Sequence, residues 1–131
     1  MKGTLTAILV LSLARAVSAH HTVADTFDVS KAVPLNGVIT SVQWQNPHVI
    51  YGVLVTAMNG TPVQWTVESR HPDGMRRAGV APDTFEAGDT VMMNVLLARD
   101  GSPRAATVSL ILPDGRTVRV CTVTNDRCPE P

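Results

Sequence analysis

Six strand-length segments, cut apart by turn signals and interrupted once by a helical stretch, constrain this chain more than any other feature. Residues 33–44 carry apolar side chains on both faces with Gly37 among them, the pattern of a long strand that bends and serves two halves of a barrel. Residues 48–58 form a nearly continuous apolar run rich in β-branched side chains, and the Asn59-Gly60 that follows is a strong hairpin signal. Residues 62–68 alternate, with Val63, Trp65 and Val67 on one face and Gln64, Thr66 and Glu68 on the other. The helical signature falls at residues 71–79, where Pro72 is placed to start a turn, Met75 and Ala78 are three apart and Gly79 is placed to stop it. Strands resume at residues 90–97, 106–112 and 117–123, separated by the turns Asp100-Gly101 and Asp114-Gly115.

Three strands, a short helix and three more strands is the order of an OB-fold barrel, in which a curved first strand opens a meander, the helix covers one open end and a hairpin closes the wall. The sixth strand would extend that hairpin or seal an edge. The fold class expected is therefore all-β with one short helix, a small OB-fold-like β-barrel, with a small β-sandwich as the competing architecture. Trp65, Val67, Ile50, Leu54, Val91, Val95, Val108 and Leu110 are its expected core residues.

Ahead of the strands, Lys2, the apolar run at residues 5–13 and the small residues Ala14, Ala16, Ser18 and Ala19 have the three-part order of a secretory signal. The run is too short to span a bilayer, so no membrane anchor is expected after processing. Cleavage fits either after Ala16 or after Ala19. The second site is preferred, because it removes Arg15 with the signal and leaves a more usual distance from the apolar run. Removing 19 of the 131 residues leaves 112, enough for one domain. The expected organisation is a signal at residues 1–19, a barrel at 20–123 and a tail at 124–131. Without Lys2 and Arg15 the eleven basic residues fall to nine against eleven acidic ones, so the mature chain carries about two net negative charges and lacks the basic footprint of a nucleic-acid binder.

An exported context suits Cys121 and Cys128, which can close a short C-terminal loop by a disulfide in an oxidising compartment. Cleavage after Ala19 would also make His20 and His21 the first two residues. A terminal histidine offers its amine and its imidazole to one metal ion, and an α-amino group sheds its proton at little cost near neutral pH. His48, where the first strand has turned into the second, is the natural third nitrogen. A nitrogen-rich site without thiolate suits copper, with zinc as the alternative. Asp25, Asp28 and Glu68 are possible oxygen donors. The bland readings are an exposed N-terminal end, a His48 that donates to a backbone carbonyl, and a His71 that sits on the surface before the helix.

The succession His20-His21, Phe27-Asp28, Leu35-x-Gly37, Gln45-Asn46-Pro47-His48, Trp65-x-Val67-Glu68, Arg77-x-Gly79, Ala87-Gly88-Asp89 and Leu112-Pro113-Asp114-Gly115 resembles the DUF6152 family of small exported bacterial proteins. The resemblance spans nearly the whole mature chain. It implies an exported protein with a compact β domain and carries over no established activity. His71 before Pro72 and the two cysteines depart from the family pattern.

Three function classes follow. The first is a periplasmic or secreted metal-binding protein, a copper carrier or buffer built on His20, His21 and His48. The second is a metal-free binding module that docks an exported partner protein or small ligand, with Trp44 and Tyr51 as contact aromatics. An enzyme is the weakest, and no catalytic residue is assigned: Ser69, His71 and Asp73 are spaced two apart across a Pro-containing turn, whereas triads converge from distant segments.

Overall fold

The structure is a computed structural model that describes residues 22–121 and residue 129. The elements run α1 (Val23–Thr26), β1 (Val33–Gln43), β2 (Ile50–Thr56), β3 (Pro62–Glu68), α2 (Pro72–Arg77), β4 (Thr90–Leu97), β5 (Arg104–Ile111) and β6 (Thr117–Arg119). The strands hydrogen-bond in the order β3-β2-β1-β4-β5-β6, and an additional parallel pairing of β3 with β5 closes the first five into a barrel. With α2 between β3 and β4, this is the OB-type arrangement, and the closing seam excludes an open sandwich.

β1 bends as its composition predicts. Residues 33–38 pair with β4 and residues 38–43 with β2, so the strand passes from one half of the barrel to the other at Gly37 and Val38. A Cβ at Gly37 would collide with the Leu54 carbonyl oxygen and lie 2.8 Å from Val53 Cγ1, so only glycine admits this approach of β2. The register slips by one between Ile39 and Ser41, a bulge at Thr40 that sharpens the coil of the strand.

Inside the barrel, Leu35, Ile39, Val53, Val67, Val91, Val95 and Leu110 form the main core. α2 sits against it through Met75, which is fully buried. His71 caps α2 by accepting the Gly74 N–H on Nδ1 at 3.2 Å, and Gly79, at φ +86°, ends the turn that follows. His71 is thus exposed as expected, with a capping role that its sequence position alone did not reveal.

Several expected core positions are corrected. Leu54 is 40% exposed and Ile50 is half-buried, because β2 turns Tyr51 and Val53 inward and its alternate residues outward. The apolar run at residues 48–58 lacks the alternation that would have assigned its faces. Trp65 is half-buried and packs against the core rather than lying within it. Val108 is fully buried as expected, but in a second apolar cluster: the β4–β5 register slips between Asn94 and Val95, and Val108 joins Phe27, Leu96, Ala98 and Ala106.

That second cluster exists because the N-terminal arm covers the outer wall. Phe27 pairs with Ala98 in an isolated antiparallel bridge, and the Asp28 N–H donates to the Leu97 carbonyl at 2.9 Å. The Arg99 N–H donates to the Thr26 carbonyl at 2.9 Å, and Arg99 Nε donates to the Ala24 carbonyl, also at 2.9 Å. Val23, Val29 and Ala32 pack against the cluster. β5 is consequently buried on both faces from Ala105 to Leu110.

Candidate functional site

The closing seam brings three charged or titratable side chains together. β3 and β5 run parallel with Thr66, Val67 and Glu68 opposite Arg104, Ala105 and Ala106. Arg104 Nη2 donates to Glu68 Oε1 at 3.2 Å, and the other carboxylate oxygen, Oε2, lies 3.6 Å from His48 Nδ1. The first contact is a hydrogen-bonded ion pair. The second is a charge-range contact too long for a hydrogen bond.

His48 reaches this place because the β2–β3 ladder continues beyond the named strands. The Ser69 N–H donates to the Val49 carbonyl at 2.8 Å and the Val49 N–H to the Arg70 carbonyl at 3.0 Å, which fixes the residue after His48 beside the end of β3. The Glu68 backbone is fixed too, its carbonyl accepting from the buried Thr107 hydroxyl at 3.1 Å. The His48 side chain is 38% exposed and that of Glu68 24%, so the cluster is open to solvent while its backbone is pinned.

On the other side of Arg104 the guanidinium carbon lies 6.0 Å from the Phe27 ring centroid, within cation–π range. A chain of contacts therefore runs from the N-terminal arm through Phe27, Arg104 and Glu68 to His48. Arg104 carried no signal as a site residue in its immediate sequence. Its place follows from the barrel order, which sets the start of the fifth strand beside the end of the third.

The remaining candidates separate. His20, His21 and Cys128 lie outside the described residues. Cys121 is half-buried just beyond Val120, whose N–H donates to the Val108 carbonyl at 3.0 Å. Asp25 and Asp28 are engaged in local turns. The Asp25 carboxylate accepts the Thr22 N–H at 3.0 Å, and the Asp28 carboxylate accepts the Ser30 hydroxyl at 2.7 Å and the Ser30 N–H at 3.0 Å. Those Ser30 bonds, the hydroxyl first, hold the Asp28 carboxyl below its ordinary range.

Of the two aromatic residues expected as partner contacts, Tyr51 lies in the barrel core and Trp44 is half-buried at its edge. Tyr51 is 1% exposed and meets the Phe85 ring edge-on, with centroids 6.1 Å apart. Burial pushes its phenol well above the ordinary value near 10. Trp44 packs half-buried against the core, its ring 5.6 Å from the Arg76 guanidinium carbon, and its indole N–H is buried without a hydrogen-bond partner among the described residues.

Among the described residues no group of three or more His, Cys, Asp or Glu side chains is arranged to hold a metal ion, so His48 is the one histidine they bring to the seam. No helix among them is long and apolar enough to cross a membrane.

Barrel, helix and seam define a small OB-type β-barrel protein. Residues 7–107 match the profile of DUF6152, a family of unknown function, and the chain belongs to that family. Comparisons with curated proteins and with solved structures gave no match.

Proposed function

We propose that this chain is an exported copper-binding protein, a carrier or buffer that holds the ion between its N-terminal histidines, His20 and His21, and His48. The observation that carries the reading is the course of the N-terminal arm. Val23 packs on the cluster containing Ala106, and Ala106 is the β5 partner of Glu68. Phe27 lies under Arg104, which holds the carboxylate facing His48. The arm is thus anchored on the seam that presents His48, two residues from His21.

The donor set is the amine and imidazole of His20 with the imidazoles of His21 and His48. Such nitrogens favour copper(II), with zinc(II) as the weaker-binding alternative. Arg104 engages one oxygen of Glu68, and the other faces His48. Export to the periplasm or beyond rests on the signal pattern at residues 1–19. N-terminal sequencing of the exported protein, followed by copper and zinc titration of that material, tests both parts. A mature chain starting at His20 that binds one copper ion is expected, and one that starts at Val17 or takes up no copper contradicts the reading.

A second reading is favoured by where the seam falls. OB barrels recognise ligands through the loop between strands 1 and 2 and the loop between strands 4 and 5. Here these are residues 44–49, which carry His48, and residues 98–103, which end beside Arg104. A metal-free module binding an exported partner or small ligand over this surface needs neither His20 nor copper.

The exported reading includes a disulfide between Cys121 and Cys128. Closing so short a loop contributes roughly 2.5 kcal/mol. Intact mass with alkylation, before and after reduction, tests it. Two thiols that label without reductant would exclude the bridge.

A further inference from the structure

We infer that Glu68 is a positioning residue that keeps neutral His48 in the tautomer protonated on Nδ1, leaving Nε2 as the nitrogen presented to a ligand. The inference deepens the copper reading and, in the copper affinity alone, rests on it. Neutral imidazole carries one proton, and which nitrogen holds it is set by what the other groups around the ring accept or donate. Nδ1 of His48 faces Glu68 Oε2 at 3.6 Å. An N–H pointing at a carboxylate is attracted, whereas a lone pair in the same place is repelled.

Glu68 is itself held for this task. Its Oε1 accepts from Arg104 at 3.2 Å, and its backbone carbonyl accepts from Thr107 at 3.1 Å. Parallel pairing with Ala106 fixes its place along the seam. Arg104 thus orients the carboxylate through Oε1 and leaves Oε2 as the oxygen that faces His48. At metal sites a carboxylate that accepts the free ring N–H of a ligating histidine fixes ring orientation, and its removal commonly weakens metal affinity by about 10–100-fold. At 3.6 Å the His48–Glu68 contact is longer than such a hydrogen bond, so the effect expected here is at the lower end of that range.

The test is a long-range proton–nitrogen correlation spectrum of the metal-free mature protein, recorded above the imidazole titration range. The His48 proton is expected on Nδ1 in the wild type and on Nε2 in Glu68→Ala, and copper affinity is expected to fall about tenfold in that variant. A wild-type His48 protonated on Nε2 overturns the inference, as does a tautomer unchanged in Glu68→Ala. If Glu68→Ala does not fold, the wild-type spectrum alone decides. A wild type that binds no copper but shows the Nδ1 proton, lost in Glu68→Ala, refutes the copper reading and sustains the positioning role.

Discussion

Arg104 and Glu68 face each other across the seam where β3 and β5 run parallel, with 3.2 Å between guanidinium and carboxylate. Their side chains are 46% and 24% exposed, so solvent screens the pair. The bond contributes little to stability, since exposed ion pairs are worth about 0–1 kcal/mol. Arg104→Ala removes this pair and the contact with the Phe27 ring, and should lower unfolding free energy by about 1–2 kcal/mol at most, read by urea denaturation. A loss several times larger would mean that the pair holds the barrel shut rather than orienting Glu68.

Phe27 secures the N-terminal arm, being 2% exposed among Leu96, Ala106 and Val108. Phe27→Ala should cost about 3–5 kcal/mol if the wall cannot collapse around the cavity, and less if the arm lifts away. In the second case, hydrogen exchange at Asp28 and Arg99 should speed up while β1 and β2 keep their protection, because those two amides bond only across the arm contact. Unchanged exchange at both amides would contradict the anchoring role.

Tyr51 gives the fold a signature at high pH. The phenol is raised by burial in the folded chain, so its neutral form is favoured there and the unfolded chain loses its proton first. The stabilisation is complete below about pH 10 and declines as pH climbs from there toward the folded value, by up to about 1.4 kcal/mol per pH unit. Tyr51 is the single tyrosine, so phenolate absorbance reports it alone. The absorbance should rise only together with loss of the folded circular dichroism. Ionisation near pH 10 in a folded protein would mean that the ring is accessible.

Gly37→Ala places a methyl group against the Leu54 carbonyl, which is backbone and cannot swing aside. The β1–β2 pairing must shift, at a cost of about 1–3 kcal/mol by the usual scale of overpacking. Chemical denaturation measures it, and a variant as stable as the wild type would show that the strands do not approach as closely as described.

Much of this architecture is legible in the chain because local signals agree with the fold. The alternation at Pro62–Glu68, the Pro72 start and Gly79 stop around α2, and Gly37 at the bend of β1 each carry their own physical cause. The faces of β2 are not legible, since Tyr51, Val53 and Leu54 read alike in an unbroken apolar run. The N-terminal arm was also hidden. Asp25 three residues after Thr22 is a weak form of the helix-start pattern, and the reason β5 is apolar on both faces appears only when Phe27 covers its outer side. Within the site, His48 stands out by residue type and position, whereas Arg104 becomes meaningful only through the parallel register that sets it beside Glu68.

Copper titration of the correctly processed protein beside a form with one extra residue ahead of His20 decides whether the terminal histidine binds the metal. The extension keeps every side chain but removes the pairing of amine and imidazole on one residue. Copper(II) should bind the processed form more tightly than zinc(II), affinity should fall as pH drops through about 6.5, where free imidazoles regain protons, and the extension should abolish most of the binding. His48→Ala should weaken it by a smaller factor. Equal copper affinity in the processed and extended forms would contradict the terminal-histidine site and leave the metal-free binding module in its place.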